Sequence, residues 1–367
     1  MESFIKGMDV SSLKELEELG AKYYKDGQEK DLLELLREYG VNSIRLRLWN
    51  DPYSESKVPY GAGTNDLKTT VELAKRVLAK HMGVLLDLHY SDFWADPGKQ
   101  RIPKEWRNLD AVGLEQAVYD FTRQTLLTLK EKEAFPTMIQ VGNELSNGLL
   151  WPYGKVPEYD NIARFINAGI RAVRSVDQNL PVMLHLDNGG NNALYREWFD
   201  EYMKRGEDFQ VIGLSYYPFW HGSLQDLENN MRDISVRYGK ELIVAEVSMG
   251  HTLADYKSYE KLTDSERKGM ATKPELAAKI EYPMTVQGQC DFMQDFLMRI
   301  SRVRGVRGFY YWEPGWLPVP GSSWANKESL AYIEEKGPGG NEWANQALFD
   351  YNGNALKALE TIRDFQP

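Results

Sequence analysis

The sequence predicts a closed (β/α)8 barrel, and three observations predict it. Short apolar runs alternate with amphipathic helical patterns from end to end, eight of each. The runs are continuous rather than alternating with polar residues, as parallel strands covered on both faces require. The connections are lopsided: those after the runs are long, at 50–65, 90–108, 145–159, 247–283 and 313–345, whereas those before them are short, often a single Gly or Pro. Long loops on that side build a cleft at the C-terminal ends of barrel strands. The rival architecture, an open doubly wound sheet, calls for a GxGxxG turn that follows none of the runs. No repeat of fixed period, low-complexity tract or Pro/Ser-rich linker divides the chain, so one domain over residues 1–367 is expected.

The elements follow in order. Ile5–Val10 reads as the first strand, and "EKDLLELLREYG" then sets Leu32, Leu33, Leu36 and Tyr39 on one helical face before Gly40 ends it. "VNSIRLRLW" is the second strand. In "NDLKTTVELAKRVLAKHMG", Leu67, Val71, Ala74 and Leu78 repeat at helical spacing. "VLLDLH" and "TMIQVGNE" are the third and fourth strands, joined by a helix around Leu114–Leu129. A helix over Asn161–Val176 leads to "PVMLHLD", one near Ala193–Lys204 to "QVIGLSYY", and one over Leu224–Tyr238 to "LIVAE". Met284–Val303 precedes "GFYYW", and the last helix spans about Ala355–Asp364.

Composition narrows the function. A formal net charge of -10 argues against nucleic acid or an anionic membrane surface, which reward Lys and Arg, and suits a neutral ligand. The lone Cys290 excludes an intramolecular disulfide and reads as a small core residue on a helix. Ten Trp and 21 Tyr make the chain aromatic-rich, and aromatic faces grip sugar rings as well as filling cores. No run approaches the roughly 20 apolar residues of a membrane helix. "MESFIKGMDV" has no apolar leader, so a cytoplasmic protein is expected; a monomer is expected as well. The alternative is a secreted protein whose leader lies outside this numbering.

"VGNE" poses the functional question. A buried strand has no reason to end on an amide and a carboxylate, Asn143 and Glu144, unless its end faces a working cleft. Read in order, the strand ends carry Asp9, Arg45 and Arg47, Asp87 and His89, Asn143 and Glu144, His185 and Asp187, Tyr216 and Tyr217, Glu246, and Trp312 with Glu313. Any one of these has a plain structural use; a whole ring of acids, arginines and aromatics does not. Metal hydrolysis lacks HxH, HExxH or a Cys set, and His81, His221 and His251 read as solvated or capping residues. Nucleophilic serine chemistry lacks a GxSxG turn. A pair of carboxylates across a glycosidic bond remains, one to protonate the leaving oxygen and one to attack or to activate water. Of Glu144, Glu246 and Glu313, the first two are favoured. Asn143 marks Glu144 as the acid/base, since an amide there can hold a sugar hydroxyl beside the scissile bond, and the Pro after Glu313 suits a loop-shaping role.

These segments resemble clan A glycoside hydrolases, and within them family 53, the endo-β-1,4-galactanases. "KGMDVSSL", "HYSDFWADPGKQ", "GLSYYPFWHG", "YYWEPGWLP" and "ALFDYNGNAL" occur in that family's order and cover essentially the whole chain. The resemblance implies Glu144 as acid/base and Glu246 as nucleophile. It further implies Asn143 on the neighbouring hydroxyl, Arg45 beside the nucleophile, and one of Tyr216 and Tyr217, with Tyr217 preferred, bonded to it. Trp312 would lie under the reacting sugar, with His89, Trp94 and Asp187 lining adjacent positions. The implied substrate is the β-1,4-galactan of pectin side chains, cut internally with retention. The rivals are a clan A hydrolase of mannan, xylan or β-glucan, a non-catalytic sugar-binding barrel and a metal-dependent barrel enzyme. No cofactor is expected. Some bacterial members hold calcium after strand seven, but "VSMGHTLADYKSYEKLTDSERKGM" lacks the ligand spacing, so calcium is not expected either. Trp94, Trp220, Trp316 and Trp324 sit in the long loops, where they could wall a groove or pack as loop core.

Overall fold

Eight parallel strands close on themselves in the computed structural model, which describes residues 4–254, 256 and 274–367. They are β1 (Ile5–Asp9), β2 (Ser43–Leu48), β3 (Gly83–Leu88), β4 (Met138–Val141), β5 (Val182–Leu186), β6 (Val211–Tyr216), β7 (Glu241–Val247) and β8 (Val306–Trp312). Each pairs with its sequence neighbours, and β8 returns to β1 with Asp9 opposite Trp312, the closure expected of a (β/α)8 barrel. The covering helices are α1 (Leu32–Glu38), α2 (Leu67–Ala79), α3 (Ala111–Glu131), α4 (Tyr159–Val176), α5 (Asn192–Met203), α6 (Leu224–Tyr238), α7 (Val286–Ser301) and α8 (Ala358–Asp364). Side chains of Asp31, Asp66, Asp110, Asn191, Ser223 and Thr285 cap six of them by accepting from a first-turn N–H. Cys290 is buried on α7.

Strand alternation sorts the interior. Outward residues such as Ile44, Leu46 and Leu48 join the large apolar layer beneath the helices. Inward residues divide by height. Leu85, Met183, Val211, Ile243, Ala245 and Tyr310 form an apolar plug. Above it, toward the strand ends, the inward positions turn polar: Arg45, Asp87, Gln140, His185 and Ser215, each at most 1% exposed. The plug closes the barrel floor, so chemistry belongs to the other end.

Some features depart from the expected elements. A two-stranded ribbon, Tyr23–Lys25 with Gln28–Lys30, turns at Asp26–Gly27 before α1, and a second pairs Gly148–Leu149 with Gly154–Lys155. The segment after β8 carries a helix at Lys327–Ile333, and α8 begins at Ala358 because Ala355 bridges to Phe349. Among the described residues no helix is long and apolar enough to cross a membrane. The loop considered for calcium falls largely on residues outside those described.

Candidate active site

The cleft at the strand ends holds about 450 Å³ and is walled by Trp94, Trp220, Trp312, Trp316, Trp324 and Trp343. All nine residues singled out in the sequence for catalysis or binding line it: Arg45, His89, Trp94, Asn143, Glu144, Asp187, Tyr217, Glu246 and Trp312. Glu313 does not.

Two local devices aim the glutamates. After β4, Gly142 adopts φ +81°, and a Cβ there would stand 2.6 Å from Leu145. Only glycine permits that turn, which lets Asn143 point back into the barrel while Glu144, itself left-handed at φ 47°, swings into the cleft. In β7 the pairing with β6 slips by one residue, from Leu214 opposite Val244 to Ser215 opposite Glu246. Ala245 already faces the plug, so strict alternation would send Glu246 outward; the bulge brings it inward too.

Arg45 organises the floor of the site. Its guanidinium donates to Asp9 (2.9 Å), Asp87 (2.8 Å) and Asn143 Oδ1 (2.9 Å), and lies 2.9 Å from Glu246 Oε1. Tyr217 O–H donates to Glu246 Oε2 at 2.7 Å, whereas Tyr216 turns outward to the Gly222 carbonyl. Asn143 Nδ2 gives one hydrogen to Ala95 O at 2.9 Å and keeps a second for the cleft. His89 is committed at both nitrogens: Nδ1 accepts from Trp49 and the Ala95 N–H, and Nε2 meets Asp87 at 3.0 Å. It therefore supplies wall, not a hydrogen bond. Asp187 accepts from Ser146 and Asn188 at the cleft edge.

Glu144 Oε1 lies 2.7 Å from Ser215 Oγ, and a carboxylate oxygen of Glu144 lies within 4.8 Å of one from Glu246. Burial raises both carboxyls, and their surroundings then separate them. Glu144 meets the negative charges of Glu246 and Asp187 and rises well above the carboxylate range. For Glu246, Arg45 and Tyr217 pull against burial, so it is raised less. A proton shared by the pair rests on Glu144. Asp87 lies below the usual range because Arg45 and then His89 overcome its burial.

Glu144, His185 and Glu246 each offer an atom within 4.8 Å of the others, the distance of a metal cluster. The donors are already committed. His185 faces Asn143 through Nδ1 and Ser215 through Nε2, and both oxygens of Glu246 are held by Arg45 and Tyr217. A divalent cation would have to break these bonds and sit beside a guanidinium, so this trio does not fit one.

Several residues were not reached from the sequence. Ser215 and Gln140 read as ordinary strand residues, and Trp343 as part of a loop, yet Trp343 packs edge-on against Trp312 at 4.8 Å. His221 and His251, expected to be solvated or capping, are buried. His221 folds back under its own strand, with Nδ1 within 3.2 Å of both the Tyr217 N–H and the Ser215 carbonyl.

Residues 5–362 match the model of glycosyl hydrolase family 53. A Bacillus subtilis protein named endo-beta-1,4-galactanase is 36% identical over 98% of this chain and 85% of its own length. Among solved structures, the Ignisphaera aggregans GH53 catalytic domain superposes with a TM-score of 0.90 at 39% identity, covering 98% of this chain and 96% of that one. One of two fungal beta-1,4-galactanases gives 0.78 at 28% identity, covering 98% of each chain.

Proposed function

The chain belongs to glycosyl hydrolase family 53, a glycoside hydrolase, and on that premise we propose that it cuts internal β-1,4-galactosidic bonds of galactan by double displacement. In this reading Glu246 attacks the anomeric carbon while Glu144 protonates the leaving oxygen. The covalent glycosyl-enzyme is then released by water, with Glu144 as base. The observation that carries it is the carboxylate pair, with oxygens within 4.8 Å on β4 and β7. Retaining enzymes hold their carboxyls about 5–5.5 Å apart, too close for the intervening water that inversion needs. The two environments divide the roles: a guanidinium and a phenol favour an ionised Glu246, and burial beside other acids favours a protonated Glu144. When Glu246 becomes an ester its charge disappears, which frees Glu144 to act as base. The free hydrogen of Asn143 suits the hydroxyl beside the reacting carbon. Tryptophan-lined walls suit the apolar faces of a sugar chain. Galactan as substrate draws on the relatives' names, and the reading includes no cofactor and a monomer.

A panel of purified β-glycans, followed by viscosity and reducing ends, tests the substrate. Galactan viscosity is expected to fall well before reducing ends accumulate. Release of galactose alone, or preference for mannan, xylan or β-glucan, overturns the reading. Activity unchanged by EDTA is expected. Glu144→Ala is expected to spare the first step on aryl galactosides with good leaving groups, and proton NMR to show the β-anomer first.

A further inference from the structure

Ser215 lies between two partners. Its Oγ is 2.7 Å from Glu144 Oε1 and 2.8 Å from His185 Nε2. A hydroxyl has one proton to give, and the far side of the imidazole decides who receives it. His185 Nδ1 stands 2.9 Å from Asn143 Oδ1. That atom is an oxygen because Arg45 donates to it and Asn143 Nδ2 donates to the Ala95 carbonyl. Nδ1 therefore faces a pure acceptor and carries the hydrogen. Rival donors to Nδ1 are weaker: the Glu144 N–H is 3.5 Å away, and Gln140 Nε2, at 3.1 Å, has Asp87 Oδ1 at 2.7 Å and the Gly142 carbonyl at 3.0 Å for its two hydrogens. Burial, with the positive charge of Arg45, drives His185 well below its ordinary pKa, so the ring holds a single proton.

We propose that Ser215, oriented by His185, is a positioning residue that holds Glu144 in its proton-carrying form: the Glu144 O–H donates to Ser215 Oγ, and Ser215 O–H donates to the bare Nε2 of His185. This rests on the acid/base reading of Glu144. Ionising Glu144 turns the hydroxyl back toward the carboxylate and leaves a buried Nε2 without its donor, which is costly in a dry site. In the first step the Glu144 O–H turns from Ser215 Oγ to the leaving oxygen and breaks as that oxygen gains the proton, the glycosidic C–O bond breaks and the Glu246–carbon bond forms. Ser215 rotates and transfers nothing. In the second step water attacks the same carbon, the ester bond to Glu246 breaks, water's proton goes to Glu144, and Ser215 rotates back.

The other groups facing this chain are accounted for. Glu246 on β7, Asp187 after β5, Asp96 after β3, and Tyr217 and Tyr195 surround Glu144; Arg45 on β2, Asp87 and His89 at β3, and His221 after β6 surround His185. Among the described residues the only hydrogen-bond contact of Nε2 is with Ser215.

The test is nitrogen-15 NMR of histidine-labelled wild-type enzyme, with the His185 signals assigned by their loss in His185→Phe. A protonated Nδ1 and bare Nε2 are expected at neutral pH. A protonated Nε2, or an imidazolium, overturns the proposal without touching the role of Glu144, which the aryl galactoside assay tests separately. The pH profile of His185→Phe gives an independent sign. With no lone pair to satisfy, Ser215 donates freely to the ionised carboxylate, so the basic limb of kcat/KM should fall by about one pH unit. If Nε2–H were supporting Ser215 as a donor, its loss would leave that limb in place or raise it, and the proposal would fail.

Discussion

Two arginine–glutamate pairs stand side by side in this barrel, and only one of them presents its glutamate to the cleft. Arg45 and Arg47 are two residues apart on β2, both inward. Arg45 meets Glu246 after the bulge in β7, and Arg47 meets Glu313 just past β8. Glu313 is closed in. Arg47 and the Ser12 backbone N–H share Oε1, and Ser12 Oγ takes Oε2. Arg47 is itself tied to the Ala62 carbonyl and covered by Trp94, whose ring centroid is 4.4 Å away. Glu246 has one protein partner per oxygen and a cleft in front of it. The same ion pair thus serves as a clamp between β1, β2 and β8 in one place and as a poised carboxylate in the other. The difference lies in what fills the space ahead of the carboxylate, not in the pair.

The largest expected effect breaks the comparison outright. Glu246→Ala should lower kcat on galactan by roughly 10⁴-fold or more, since no other carboxylate can form the ester. Glu313→Gln should stay within about tenfold, because an amide can still accept from Arg47 and donate to Ser12 Oγ. Equal losses in steady-state assays would mean that the two glutamates are not divided as described. The arginines should differ in stability. Arg45→Met strands Asp87 and Glu246, leaves Asp9 only the more distant Arg47 at 3.6 Å, and should cost roughly 3–5 kcal/mol in urea unfolding at neutral pH. Arg47→Met strands chiefly Glu313, which can take up a proton, and should cost less.

The sequence carried the barrel because eight continuous apolar runs, punctuated by Gly and Pro, leave few other folds. It carried the site's outline because polar residues at strand ends have to face the cleft. What it did not carry depends on register. Glu246 points inward only through the slip opposite Ser215, and a one-residue bulge leaves no mark in "LIVAEV". Ser215 is legible only once Val211, Gly213 and Tyr217 are known to share its inward face. Tyr216 and Tyr217 were inseparable for the same reason. The ribbon at Tyr23–Lys25 did advertise itself through Asp26–Gly27, but three-residue polar strands fall below any apolar pattern.

Tyr217→Phe sharpens the comparison from the Glu246 side. It removes one charge-assisted hydrogen bond while Arg45 stays, so kcat should fall about ten- to hundredfold with the fold intact. The sign on pH is set as well. Tyr217 lowers the pKa of Glu246, so without it Glu246 holds its proton more tightly and the acidic limb of kcat/KM moves to higher pH. The basic limb, set by Glu144, should hardly move. A shift of the acidic limb to lower pH would remove Tyr217 from the nucleophile's support.

The smallest effect concerns the clamp alone. Burial lifts Glu313 to about 7, against the pull of Arg47 and Ser12. A carboxyl whose folded value lies above its unfolded value of about 4.3 binds its proton more tightly when folded. Its contribution to stability is complete below that unfolded value and is lost as pH rises through about 7. The amide of Glu313→Gln does not titrate. The stability of the parent chain minus that of Glu313→Gln should therefore decline between about pH 4.5 and 7.5, by roughly 1–3 kcal/mol. Urea unfolding at several pH values measures it, and the subtraction removes the titration of every group the two chains share. A difference that stays flat or grows with pH would show that Arg47 and Ser12 hold Glu313 ionised. The clamp would then be a second fully charged pair like Arg45 and Glu246, set apart from it by enclosure alone.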